Sequence, residues 1–338
     1  MNNQPLKILI IHTWGIGDLI MFTPALRLIR QNFHEAQIDI LITDKPVSAQ
    51  VLEENRTVNK IITFYWKEGS FFEKLKLISE LRKEKYDWAV VTSWTNQFKG
   101  GLLAYFIGAK NRIGVYKRFK SPFYTKQAPG KESRPRRETN LALVSLMGIK
   151  AGERPEEFFE FSAEDAEFAR EFVQKSPGPL DKVLIGFHPG AEPVHRYLLW
   201  PKDYFVALAK KITENYKNAV LLVFAGPGEK DICDQILAEV KENILLASDL
   251  SLKQVAALID VCRVFVASDS GLAQVASATR TNLITIFGPS ESRLFAGQGP
   301  RVKVFQAECH HPYQENRQHA CLKKITPEMV FHELKKFL

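Results

Sequence analysis

The chain has 338 residues, 45% of them hydrophobic and 25% charged, and a net charge of +8. This is the composition of a soluble globular protein long enough for two domains of ordinary size. No apolar run approaches the roughly 20 residues of a membrane span, and the positive balance asks for an anionic partner: nucleic acid, anionic lipid or a phosphorylated substrate.

The N-terminus, MNNQPLK, leads straight into a strand, so no signal peptide is read. Strand-like runs in the first half lie at 7–12, 37–42, 60–64 and 87–92. Helical patterns fall at 19–33, 46–54, 70–84, 97–107 and 138–148, the last closing at Gly148 as a C-cap. The stretch 110–137 is a basic cluster holding Lys110, Arg112, Lys117, Arg118, Lys120, Lys126, Lys131, Arg134, Arg136 and Arg137, interleaved with Tyr116, Phe119, Phe123 and Tyr124. It reads as a solvated loop or as a surface meeting acidic lipid or a phosphorylated glycan. No zinc-finger, RNA-binding or helix-turn-helix pattern supports nucleic acid.

A second series follows the Pro/Gly stretch KSPGPLDK at 175–182. Its strands are 183–187, 219–224, 244–247, 263–267 and 283–287, and its helices 202–216, 229–241, 251–260 and 271–279. Pro327 starts a terminal helix ending at Leu338. Such alternation means parallel sheets with right-handed crossovers. The expected fold is α/β, two Rossmann-like domains facing across a cleft. The expected division is 1–174, a linker at 175–182, 183–326, and a terminal helix at 327–338.

Four turns carry candidate chemistry. In LKILIIHTWGIGDLIMFTPALRLIR, a buried strand breaks into a turn with Gly15, Gly17 and Asp18 before a helix starts. A helix start already favours anions, so an acid there points to proton chemistry or to a hydroxyl ligand. In the second half, His188-Pro-Gly190, Ala225-Gly226-Pro-Gly-Glu229 and Ser268-Asp269-Ser270-Gly271 each follow a strand. Parallel strands share their carboxyl ends, so these three loops line one sheet edge and suit a pyrophosphate. Ser270 taken alone also fits an ordinary N-cap.

The chain resembles glycosyltransferase family nine, the ADP-heptose:lipopolysaccharide heptosyltransferases. The resemblance runs from Lys7 to about Val330, through GIGDLIMFTPAL at 15–26, IGFHPGA at 185–191, WPKDYFVALA at 200–209, FAGPGEKD at 224–231, SDSGLAQVASA at 268–278 and IFGPS at 286–290. It implies the two-domain GT-B fold and inverting sugar transfer, with Asp18 as general base. By the same resemblance His188, Gly190, Gly226, Glu229, Asp269, Ser270, Gly271 and Gln274 bind the donor. Gly15, Gly17, Arg118 and Lys120 belong to the acceptor side. It implies ADP-heptose as donor, no required cofactor, a phosphorylated lipid-linked glycan as acceptor, and a peripheral place on the cytoplasmic face of the inner membrane. Two positions depart from the family pattern. Leu198 stands where a lysine is common, leaving Arg196 as the nearest cation, and Gln274 stands where histidine is frequent. These departures keep open a nucleotide-sugar-binding protein of the same fold that has lost activity. A nicotinamide dehydrogenase is disfavoured because the turn after Ile11, HTWGIGDL, lacks GxGxxG.

The four cysteines, Cys233, Cys262, Cys309 and Cys321, are expected to stay reduced. Segment 309–321, CHHPYQENRQHAC, offers zinc-type donors in Cys309, His310, His311, His319 and Cys321. Their spacing is not a familiar paired-ligand pattern, and the reading is no metal.

Overall fold

The computed structural model describes residues 5–43, 46–130, 134–150, 155–176, 178–179, 181–191, 197–309 and 320–338. The polypeptide divides into two compact units, 1–160 and 161–338.

The first unit runs β1 (Lys7–His12), α1 (Ile16–Ile20), α2 (Thr23–Asn32), β2 (Gln37–Ile42), β3 (Lys60–Thr63), α3 (Phe71–Lys83), β4 (Trp88–Val91), α4 (Gln97–Ile107), β5 (Asn111–Tyr116), β6 (Lys126–Pro129) and α5 (Arg136–Ser145). Its six strands pair in the order β3-β2-β1-β4-β5-β6, all parallel. Helices cover the sheet, so β1 is an unbroken buried run, Ile8 to Ile11, rather than an alternating one. Leu9 and Ile11 pack with Ala89 and Val91 of β4, Leu77 and Leu81 of α3, and Leu103 and Ile107 of α4.

Local chemistry sets the helix ends. Ser70 and Glu73 form a reciprocal capping box on α3. Asn96 caps α4, and Gly108, at φ 78°, ends it in the left-handed region. The single helix expected at 19–33 is two. Pro24 lacks an N–H and cannot bond the carbonyl of Ile20 four residues back; the Thr23 hydroxyl donates to that carbonyl instead, at 2.7 Å. Asp18 therefore lies inside α1 rather than ahead of the helix. The helix expected at 46–54 is a 3₁₀ stretch, Pro46–Val51. The basic segment 110–137 is not one loop: it contains β5, β6 and the start of α5.

The second unit runs α6 (Ala163–Gln174), β7 (Val183–His188), α7 (Lys202–Asn215), β8 (Ala219–Phe224), α8 (Lys230–Val240), β9 (Ile244–Ala247), α9 (Leu252–Asp260), β10 (Val264–Ser268), α10 (Gly271–Ser277), β11 (Asn282–Phe287), α11 (Ser292–Phe295), β12 (Val302–Gln306) and α12 (Pro327–Leu334). Its parallel sheet has the order β12-β11-β10-β7-β8-β9. Helix α6, which precedes the 175–182 stretch, packs on α9 and belongs to this unit. Phe187, Leu221, Val266 and Ile284 from the strands meet Phe205 and Leu208 of α7 and Val330 and Leu334 of α12 in one core.

Cys233 and Cys262 are free and buried, but Cys309 and Cys321 are joined in a disulfide, which corrects the expectation that all four stay reduced. Their sulfurs bond each other. His310, His311 and His319 lie outside the described residues. Among the described residues no group of three or more metal-ligating side chains occurs, and no helix is long and apolar enough to cross a membrane.

Candidate active site

Both strand orders contain a reversal. From β1 the chain works outward to β3 and returns to β4 on the other side of β1; from β7 it works outward to β9 and returns to β10 beside β7. In open α/β sheets, ligands bind beyond the carboxyl ends of the strands at such a reversal. Each unit therefore offers one crevice, at the ends of β1 and β4 and at the ends of β7 and β10.

At the first crevice, β1 ends in His12, whose Nδ1 lies 3.1 Å from the Thr92 hydroxyl beyond β4. Burial pushes the His12 imidazole down from 6.5 to about 4, against backbone hydrogen bonds at Gly15 and Trp14, so it is neutral near pH 7. Gly15 is the N-cap of α1, and Gly17 and Asp18 lie in its first turn. The Asp18 carboxylate accepts a hydrogen bond from Arg136 Nη1, and both side chains are mostly buried. The Arg136 guanidinium in turn stacks 3.8 Å from the centre of the Trp94 ring, which also has Lys117 at 5.7 Å. Asn140 of α5 ties this corner together, accepting from the Ser93 N–H and donating to the Met21 carbonyl. Arg118 and Lys120 are exposed on the turn after β5, over the rings of Phe119 and Tyr116. It is Arg136 that the fold brings onto Asp18.

Arg136 and Trp94 were not singled out as site residues from the sequence. Trp94 had a readable signal, because it follows the strand that ends beside β1. Arg136 was legible as part of the basic 110–137 cluster, but its pairing with Asp18 across 118 residues was not.

At the second crevice, His188 ends β7 and links two loops. Its Nδ1 lies 3.0 Å from Ser270 Oγ, and its Nε2 lies 3.0 Å from Glu229 Oε2. One proton arrangement satisfies every atom: His188 Nε2–H donates to Glu229, and the Ser270 hydroxyl donates to His188 Nδ1 while accepting from the Ala273 N–H that opens α10. Glu229 Oε2 also accepts from the Gly226 N–H at 2.7 Å. A Cβ at Gly190 would lie 2.4 Å from that same oxygen, so only glycine fits there. His188, Gly190, Gly226, Glu229 and Ser270 thus form one cluster, with Gly271 as the first residue of α10.

Asp269 stands beside the cluster and accepts from the Ser290 hydroxyl at 2.7 Å. Gln274 is buried, and its amide donates to the Phe295 carbonyl at 2.6 Å. Leu198 is buried as well. Arg196 lies outside the described residues. Trp200 is a structural pin: its N–H donates to Ser268 Oγ and its indole to the Ile325 carbonyl.

The profile of Glycosyltransferase family 9 (heptosyltransferase) matches residues 74–325. The chain belongs to glycosyltransferase family 9. This family 9 enzyme is 29% identical to lipooligosaccharide heptosyltransferase 2 of Haemophilus ducreyi, across 98% of the present chain and 99% of that relative. Among solved structures it is similar to the ADP-heptose lipopolysaccharide heptosyltransferase II of Escherichia coli, with a TM-score of 0.80, 25% identity and 98% of both chains covered. An E. coli heptosyltransferase solved with ADP shares the fold at a TM-score of 0.74 and 17% identity, covering 98% of this chain and 100% of that one. The GT-B class expected from the sequence is thus the class of the solved relatives, and the chain is a glycosyltransferase.

Proposed function

We propose that the protein transfers heptose, or a closely related sugar, from ADP-heptose to a lipopolysaccharide core or related glycan, with inversion at the anomeric carbon. The observation that carries this reading is similarity along nearly the whole chain to heptosyltransferases 2, together with an acid, Asp18, at the crevice of the first sheet. Donor and acceptor divide between the crevices. The second has the small, hydrogen-bonded loops that accommodate a nucleoside diphosphate; the first has the carboxylate and the nearby cations.

Inverting transfer is a single displacement. The acceptor hydroxyl attacks the anomeric carbon from the face opposite the diphosphate, its proton passes to Asp18, and the bond to ADP breaks as the new glycosidic bond forms. General-base help of this kind contributes about 10²–10⁴-fold. Arg136, held over the Trp94 ring, orients the Asp18 carboxylate for that transfer. In this reading the small-residue loops at 188–190 and 226–229 and the start of α10 hold the diphosphate that accumulates charge as it leaves. Arg196 is the cation the sequence offers for the same charge.

Two measurements test the reading separately. Calorimetric titration with ADP, UDP, GDP and ADP-heptose is expected to show selective binding of the adenine compounds; selective binding of UDP or GDP would replace the donor. In Asp18→Asn, turnover is expected to drop by about 10²–10⁴ with ADP affinity nearly unchanged. Near-normal turnover in that variant would remove Asp18 from the role of base.

A further inference from the structure

His188 joins two of the small-residue loops at the carboxyl edge of the second sheet, and it does so from inside the protein. It is 3% exposed, and both ring nitrogens are used within the chain: Nδ1 on Ser270 Oγ and Nε2 on Glu229 Oε2, each at 3.0 Å. Neither nitrogen is left for a ligand. His188 reaches one only through Ser270, which is partly exposed.

A hydroxyl has one hydrogen and two lone pairs. With a neutral imidazole, the Ser270 hydrogen goes to His188 Nδ1 and one lone pair takes the Ala273 N–H at 3.3 Å, so no hydrogen remains for a ligand. An imidazolium reverses the first of these bonds. Both its nitrogens donate: Nε2–H stays on Glu229, Nδ1–H goes to Ser270 Oγ, and the serine hydrogen turns outward. One proton on a buried ring thus converts Ser270 from an acceptor into a donor.

The titratable and charged groups on the loops packed against His188 are Glu229 and Lys230 after β8 and Asp269 after β10. Glu229 is buried on the ring, Lys230 is exposed, and Asp269 accepts from the Ser290 hydroxyl. The described residues of the loop after β7, Pro189, Gly190 and Ala191, are uncharged. A carboxylate on one side of the ring and a diphosphate on the other both favour the imidazolium, because opposite charges within about 4–6 Å stabilise the charged form.

We propose that His188 takes up a proton from solvent when a nucleoside diphosphate binds, and so turns the Ser270 hydroxyl into a hydrogen-bond donor to that diphosphate. His188 is then a positioning residue, acting through the serine. Its effect grows along the reaction. Rupture of the bond to the anomeric carbon leaves one more negative charge on the diphosphate, and a donor that strengthens with that charge favours the transition state over the bound substrate. The inference rests on the assignment of the nucleotide to the second unit.

The test is calorimetry of the full chain with ADP at pH 8, in HEPPS and in Tris, whose heats of ionisation differ. Phosphate monoesters lose their second proton near about pH 6, so free ADP has none to release. Wild type is expected to take up roughly 0.3 proton or more per ADP, with affinity falling as pH rises. In His188→Gln, whose amide can bridge but does not titrate, uptake is expected to vanish and the pH dependence of affinity to flatten. Glu229→Gln is a second variant. Both bonds to Glu229 fall on one oxygen, which an amide oxygen replaces, but the counter-charge is gone, so uptake is expected to fall by about half or more. ADP binding without proton uptake in wild type, or undiminished uptake in either variant, would overturn the proposal. Absence of ADP binding to wild type would instead overturn the donor assignment beneath it.

Discussion

At the scale of single residues, burial and pairing decide chemistry that residue type leaves open. His12 is an example. The unfolded chain takes a proton on this imidazole below about pH 6.5, while the folded protein holds it neutral down to about 4. Between those values the unfolded state binds more protons, so stability rises with pH across that window and is lost as pH falls through it. The whole difference is about 3 kcal/mol. Denaturation midpoints measured from pH 4 to 7 should therefore rise more steeply in wild type than in His12→Gln, which has no proton to gain; parallel curves would show that His12 does not carry this dependence. The same scale explains Gly190. Any side chain there would displace Glu229 and with it the bond to His188, so the glycine is required by the acid and not by its own backbone angles.

At the scale of elements, close approach is the recurring device. The ring of Tyr124 is packed between α4 and β5, and a Cβ at Gly101 or Gly114 would meet it at 2.8 or 2.4 Å. Its hydroxyl donates to the Gln97 carbonyl at 2.6 Å, fixing the first turn of α4. Gly114→Ala is therefore expected to overpack this seam and cost about 1–3 kcal/mol in urea denaturation. A loss under about 0.5 kcal/mol would mean that the ring has room to move. Pro24 acts at the same scale, dividing one amphipathic stretch into α1 and α2 and so putting Asp18 in a short helix of its own.

At the scale of the whole molecule, one topology is used twice, and each copy has a single reversal of strand order where a ligand crevice forms. The proposed division of labour predicts where a nucleotide is felt. Hydrogen exchange in saturating ADP should gain protection in the loops after β7, β8 and β10 and little around residues 13–18; the reverse pattern would move the nucleotide to the first unit. At about one hundred times its dissociation constant, ADP adds about 2.7 kcal/mol to the stability of the state that binds it. Much of this architecture is readable along the chain. Apolar runs such as Ile8–Ile11 and Val220–Phe224, the strand–helix alternation and the small-residue turns after β7, β8 and β10 specify parallel sheets and their edge, because they depend on local periodicity and turn chemistry. The Asn111–Tyr116, Lys126–Pro129 and Val302–Gln306 strands escaped that reading, since their polar and basic residues hide a strand that only its neighbour in the sheet stabilises. Asp18 and the loop residues were legible as candidates. Their partners were decided by tertiary structure alone: Arg136 reaches Asp18 across 118 residues, His188 reaches Ser270 across 82 and Glu229 across 41, and Cys309 bonds Cys321. The sequence by itself determined the elements and the edges where chemistry is possible, because those follow from interactions between near neighbours in the chain. Which side chains meet at those edges was settled only by the order in which the strands pair, a property of contacts between distant segments.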